Sequence, residues 1–136
     1  MKAAPFLFRL TGIVVFVQLL LGGLLTFGFI SVLPHIITGF AVFILAIATA
    51  IVSFVAKPSF RPMKGVAVAM VALILLQIVL GFVALGSGSP ALGWLHFVNA
   101  MAIYGAAISG TFTAMRWDRM AVAGAPERQI GKDGQT

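Results

Sequence analysis

The chain contains no cysteine in 136 residues, which removes disulfides, iron–sulfur clusters, c-type haem attachment and thiolate zinc sites together. Charge is nearly as scarce. Charged residues make up 9% of the chain, only three are acidic, and no carboxylate precedes Asp118. Paired carboxylates for acid–base catalysis therefore cannot be assembled from Met1 to Trp117. Histidine occurs twice, at His35 and His96, so any metal must be held by these, by methionine or by oxygen ligands.

What is abundant is apolar surface. With 61% hydrophobic residues and a mean hydropathy of +1.13, a chain this short has more apolar surface than a soluble domain could bury, which predicts a membrane protein. Four runs reach the ~20 residues needed to cross a bilayer as a helix: approximately Phe6–Ile30, His35–Ala56, Gly65–Leu85 and Leu95–Met115. The first is too long for the apolar region of a signal peptide and lacks a small-residue cleavage site after it, so it is expected to remain as a span. Short connections make neighbouring spans antiparallel. The expected fold is an all-α integral membrane protein, an up-down bundle of four transmembrane helices occupying residues 1–120. Residues 121–136, with Gly, Pro, Gln and mixed charge, are expected to form a flexible cytoplasmic tail.

The basic residues fall in three places: Lys2 and Arg9 at the start, Lys57, Arg61 and Lys64 between the second and third runs, and Arg116, Arg119, Arg128 and Lys132 after the fourth. The other two connections carry no charge, so the positive-inside rule puts both termini in the cytoplasm and predicts residence in the cell membrane. The net charge of +6 thus follows from topology. Split among membrane-flanking segments without interleaved aromatics, it gives no support to nucleic-acid binding.

The chain is also duplicated. His35-Ile36-Ile37-Thr38-Gly39-Phe40-Ala41-Val42-Phe43 and His96-Phe97-Val98-Asn99-Ala100-Met101-Ala102-Ile103-Tyr104 share His, a small polar residue at +3, Gly or Ala at +4, Ala at +6 and an aromatic at +8. Gln18-Leu19-Leu20-Leu21-Gly22 precedes the first copy and Gln77-Ile78-Val79-Leu80-Gly81 the second. Lys57-Pro58-Ser59-Phe60-Arg61-Pro62 breaks the helix between the halves. Repeats of approximately 6–56 and 65–115 then contribute one outward and one inward helix each, related by a pseudo-two-fold axis along the membrane normal. His35 opens the second helix and His96 lies near the start of the fourth, both close to the outer face, where two imidazoles can meet a single iron. Gly39 and Ala100, one turn below, leave room for a flat macrocycle, and Phe43 and Tyr104 can floor it. Gly22, Gly23 and Gly28, with Gly81, allow close approach from the flanking helices.

Blander readings exist for each feature. A lone histidine at a membrane interface usually faces headgroups or satisfies a local hydrogen bond. Glutamine followed by glycine one turn later serves helix packing as readily as ligand contact, and this applies to Gln18 and Gln77. The methionines do not recur at equivalent places and read as packing residues. Only the recurrence of both histidines with matched small and aromatic followers favours ligation.

Gln-x-x-Leu-Gly ending one helix, followed by a His opening the next, resembles the half-unit of the haem A synthase family. The resemblance covers approximately Gln18–Phe43 and Gln77–Tyr104 and implies one four-helix domain binding haem between its second and fourth helices, with His35 and His96 as the paired ligands. A half-length chain is similar to the compact members of that family, which would dimerise to match the eight-helix form. The family's catalytic half carries a Glu shortly before its first His and an Arg just after it. Here the approach is Ser31-Val32-Leu33-Pro34-His35-Ile36, with neither, so the resemblance is to the non-catalytic, haem b-binding half. The leading expectation is a bis-His haem b protein, a cytochrome b subunit passing electrons to or from a quinone or respiratory-complex subunits. The alternative is a haem A synthase-like enzyme or cytochrome oxidase assembly factor acting as a homodimer or with a partner. A third reading is a structural membrane subunit without cofactor.

Overall fold

The computed structural model describes residues 3–56 and 60–123. Among them are four helices and no strands: α1 (Ala3–Thr26), α2 (Val32–Val55), α3 (Arg61–Ser87) and α4 (Pro90–Ala123). Each is long and apolar enough to span a membrane. They form a closed ring in which α1 packs on α2 and α4, and α3 packs on α2 and α4. Every neighbouring pair is antiparallel: Thr11 meets Thr49, Gln77 meets His96, Phe16 meets Tyr104, and Lys64 lies over Phe54. Consequently α2 and α4, which carry the histidines, face each other diagonally.

Glycine and proline set the boundaries, several residues away from where hydropathy places them. α1 ends at Thr26 rather than near Ile30 because Gly28 adopts φ +74° and the amides of Phe27, Gly28 and Phe29 turn back onto the carbonyls of Gly23, Leu25 and Leu24. α3 stops at Ser87, where Gly88 takes φ +62° and donates its N–H to Ala84. α2 begins at Val32 with Pro34 in its first turn, where the missing N–H costs no hydrogen bond. His35 is therefore the fourth residue of α2 and does not open it. α4 begins on Pro90 and continues to Ala123, which puts His96 nearly two turns into the helix and extends the bundle past residue 120. The remaining residues of the expected tail, 124–136, and the Lys57-Pro58-Ser59 part of the helix breaker lie outside the described residues.

Burial follows a helical seam. Ala4, Phe8, Thr11 and Val15 of α1 recur every three or four residues, as do Val42, Ala46, Thr49 and Ser53 of α2, Met63, Ala67, Met70 and Ile74 of α3, and Ile103, Ala107, Gly110, Ala114 and Trp117 of α4. Small residues let the backbones approach. A Cβ on Gly110 would overlap the Phe8 ring, and one on Gly12 would lie 3.5 Å from Ala107 Cβ. Thr11, Thr49 and Ser53 are fully buried and return their hydroxyls to carbonyls one turn earlier, so no polar group in the seam is stranded. This tight packing belongs to the end of the bundle that carries the basic residues. Toward the other end the seam stops at Val15, Val42, Ile74 and Ala100, and beyond it lie the half-buried histidines.

Candidate histidine site

α2 and α4 bring His35 and His96 across the bundle to ring centres 6.1 Å apart, tilted by 58°. Nδ1 of each ring is buried and has no hydrogen-bond partner. Such an atom is costly in an apolar interior unless something bonds to it. Behind each ring stands a glycine of the neighbouring helix. A Cβ on Gly22 of α1 would lie 3.2 Å from His35 Cε1, and one on Gly81 of α3 only 2.9 Å from His96 Cε1. The two imidazoles occupy the volume that side chains at these positions would take.

Each glutamine is fastened to the histidine of the adjacent helix, though not in the same way. Gln18 donates from Nε2 to the His35 carbonyl at 2.8 Å, while its own carbonyl oxygen accepts from the Thr38 hydroxyl, whose single proton is shared with the Pro34 carbonyl. Gln77 sends its amide nitrogen to His96 Nε2 at 3.0 Å, and its oxygen accepts from Asn99 Nδ2 at 2.7 Å. Asn99 also donates to the Leu73 carbonyl. Because the Gln77 oxygen accepts from Asn99, its amide N–H faces His96 Nε2.

Gly39 accounts for the difference. Its missing side chain leaves the His35 carbonyl open, and a Cβ there would lie 3.1 Å from Gln18 Nε2. Gly39 thus serves the α1–α2 contact and does not face the space between the histidines. Its counterpart Ala100 carries a methyl and is buried, and Gln77 bonds the imidazole instead. Phe43 is half-buried against the core, and Tyr104 packs on it and meets Phe16 of α1 at 6.0 Å. A Cβ on Gly23 would meet no atom within 4 Å, and Gly28 lies in the turn after α1, so neither approaches the site. Thr38 and Asn99 complete it. They appear in the repeat only as the shared small polar residue at +3, but a polar side chain in so apolar a helix must find a partner, and each copy has one glutamine to offer.

A ring-centre separation of 6.1 Å is short enough for both imidazoles to reach one metal ion at the ~2.0–2.1 Å of a metal–imidazole bond once their nitrogens turn toward each other, whereas here the Nδ1–Cε1 edge of each ring lies against Gly22 or Gly81. No group of three or more His, Cys, Asp or Glu side chains converges among the described residues. For His35 and His96 to hold a metal as a pair, Gln77 would have to release His96 Nε2 or turn its amide so that the ring presents a lone pair there. No protein-family model, characterised protein or solved structure matches this chain.

Proposed function

We propose that this chain is a membrane-embedded cytochrome b whose single haem b is held by His35 and His96, similar to one four-helix half of the haem A synthase family, and that it carries electrons in a respiratory chain. One observation carries the proposal: two glycine-backed imidazoles at repeat-equivalent positions with ring centres 6.1 Å apart. A haem held by His35 and His96 would supply one-electron oxidation and reduction. The chain orients the His96 imidazole through Gln77 and holds His35 by packing and through the Gln18 bond to its main chain. The bundle spans the cell membrane as two parallel repeats with the basic end in the cytoplasm. The histidines then lie near the outer face, within reach of a quinone or a neighbouring subunit at that surface.

The decisive experiment is a reduced-minus-oxidised spectrum of full-length protein purified in detergent. A low-spin haem b spectrum at one haem per chain is expected, and His35→Ala and His96→Ala should each abolish it while membrane insertion persists, since the apolar spans are unchanged. A colourless wild type after expression with ample haem, or full retention of low-spin haem in both variants, would overturn the reading.

A further inference from the structure

The two seams that join the halves of the chain are not filled alike. Where α1 meets α4, Phe8 is fully buried beneath Gly110, Gly12 approaches Ala107, and Phe16 stacks on Tyr104. By the repeat offsets of the glutamines and histidines, the residues of α3 and α2 corresponding to Phe8 and Gly110 are Ala67 and Thr49. The large side chain that plugs one seam has a methyl for its counterpart in the other. Between α2 and α3 a groove of about 510 Å³ opens, walled by Ile47, Ile51 and Phe54 on one side and Val68, Ala72 and Leu75 on the other. The groove is open along its length, and its lining is hydrocarbon throughout. At its basic end Lys64 is half-buried, with Nζ 5.2 Å from the centre of the Phe54 ring that forms the wall. Arg61 is exposed one turn earlier on α3. Neither helix contains a carboxylate that could neutralise these cations.

We propose that this groove is a binding site for an anionic phospholipid, with one acyl chain lying between α2 and α3 and the phosphate drawn to Lys64 and Arg61. An apolar slot explains a hydrocarbon chain. The cations at its mouth favour an anionic headgroup over a zwitterionic or neutral one, and charged headgroups are held this way between transmembrane helices at basic surfaces. The site lies at the end of the bundle away from the histidines, and it rests on the helices spanning a membrane and not on haem.

The test uses the full chain in detergent and follows thermal unfolding by far-UV circular dichroism, which reads the protein whether or not haem is bound. Phosphatidylglycerol should raise Tm more than phosphatidylcholine of the same acyl composition. Lys64→Gln should remove at least half of that excess, whereas Arg119→Gln, which deletes an exposed cation of α4, should leave it intact. Ala72→Phe, filling the groove, should abolish it. If that variant fails to fold, Lys64→Gln against Arg119→Gln still decides. Equal stabilisation by the two lipids, equal loss in the Lys64 and Arg119 variants, or an undiminished response in folded Ala72→Phe would overturn the site. Stabilisation by an isoprenoid quinone in place of phosphatidylglycerol would assign the groove to a neutral ligand, and conversion of a dimer to a monomer by Ala72→Phe with the lipid response unchanged would assign it to a second copy. Either result also overturns the proposal.

Discussion

The two halves of the histidine site differ at Gly39 against Ala100 and at Thr38 against Asn99. Gly39 lets Gln18 reach the main chain of α2, so the His35 ring is held by packing alone, while Ala100 stands where that route would open in α4 and Gln77 holds the His96 ring itself. The glycines behind the rings act more directly on the site. A Cβ 2.9 Å from His96 Cε1 cannot be accommodated without moving the ring, because real carbon–carbon contacts begin near 3.5 Å. The ring in turn is tied to Gln77 and through it to Asn99. Gly22 leaves slightly more room, 3.2 Å, beside a ring with no side-chain tether. Gly81→Ala should therefore lower the haem-to-protein ratio more than Gly22→Ala, and Gly23→Ala, which meets nothing within 4 Å, should leave it unchanged. Haem content measured on the three purified variants would show the order. Equal ratios in all three would mean that the imidazoles are free to slide and that the glycines serve only helix packing.

At the scale of helices, the closest packing lies in the seam between α1 and α4. Lipid tails are as apolar as leucine, so burial from water does not drive these helices together and close van der Waals packing must. Phe8 under Gly110 is the tightest such contact described. Gly110→Ala should destabilise by ~1–3 kcal/mol through overpacking, and Phe8→Ala by no more than the ~3–5 kcal/mol of a soluble core. Once the ring is gone, the methyl at position 110 has space, so adding Gly110→Ala to Phe8→Ala should cost almost nothing further. Strict additivity in a detergent-unfolding cycle would contradict the contact. The four helices were legible in the sequence because length and apolarity alone define a membrane span. Their ends were less so. Gly28 and Gly88 could be read as breakers, but hydropathy cannot show that an αL glycine stops α1 four residues early or that α4 tolerates Pro90 as its first residue. Within the site, the duplication singled out His35, His96 and the glutamines. It could not reveal that Gly39 faces a glutamine, or that Thr38 and Asn99 answer those glutamines, since residues on one helical face say nothing about which neighbour that face meets.

Across the whole molecule, one end of the bundle is closed by fully buried side chains and the other holds the polar residues of the histidine site. The only carboxylate among the described residues, Asp118, belongs to the closed end. It follows His96 by 22 residues of continuous helix, about 33 Å at 1.5 Å per residue. Among the described residues no carboxylate therefore lies near the histidines, and oxidation of a haem methyl group requires proton transfers as well as an accessible coordination position. The same apolar surroundings suit electron transfer, in which neither ligand nor proton has to move. Expression of this chain alone in a membrane containing haem O, followed by extraction and chromatography of the haems, should accordingly yield no haem A. Appearance of haem A would overturn the electron-carrier reading, and would mean that water or a second copy of the chain supplies the proton-handling groups that α1 to α4 do not place at the histidine end.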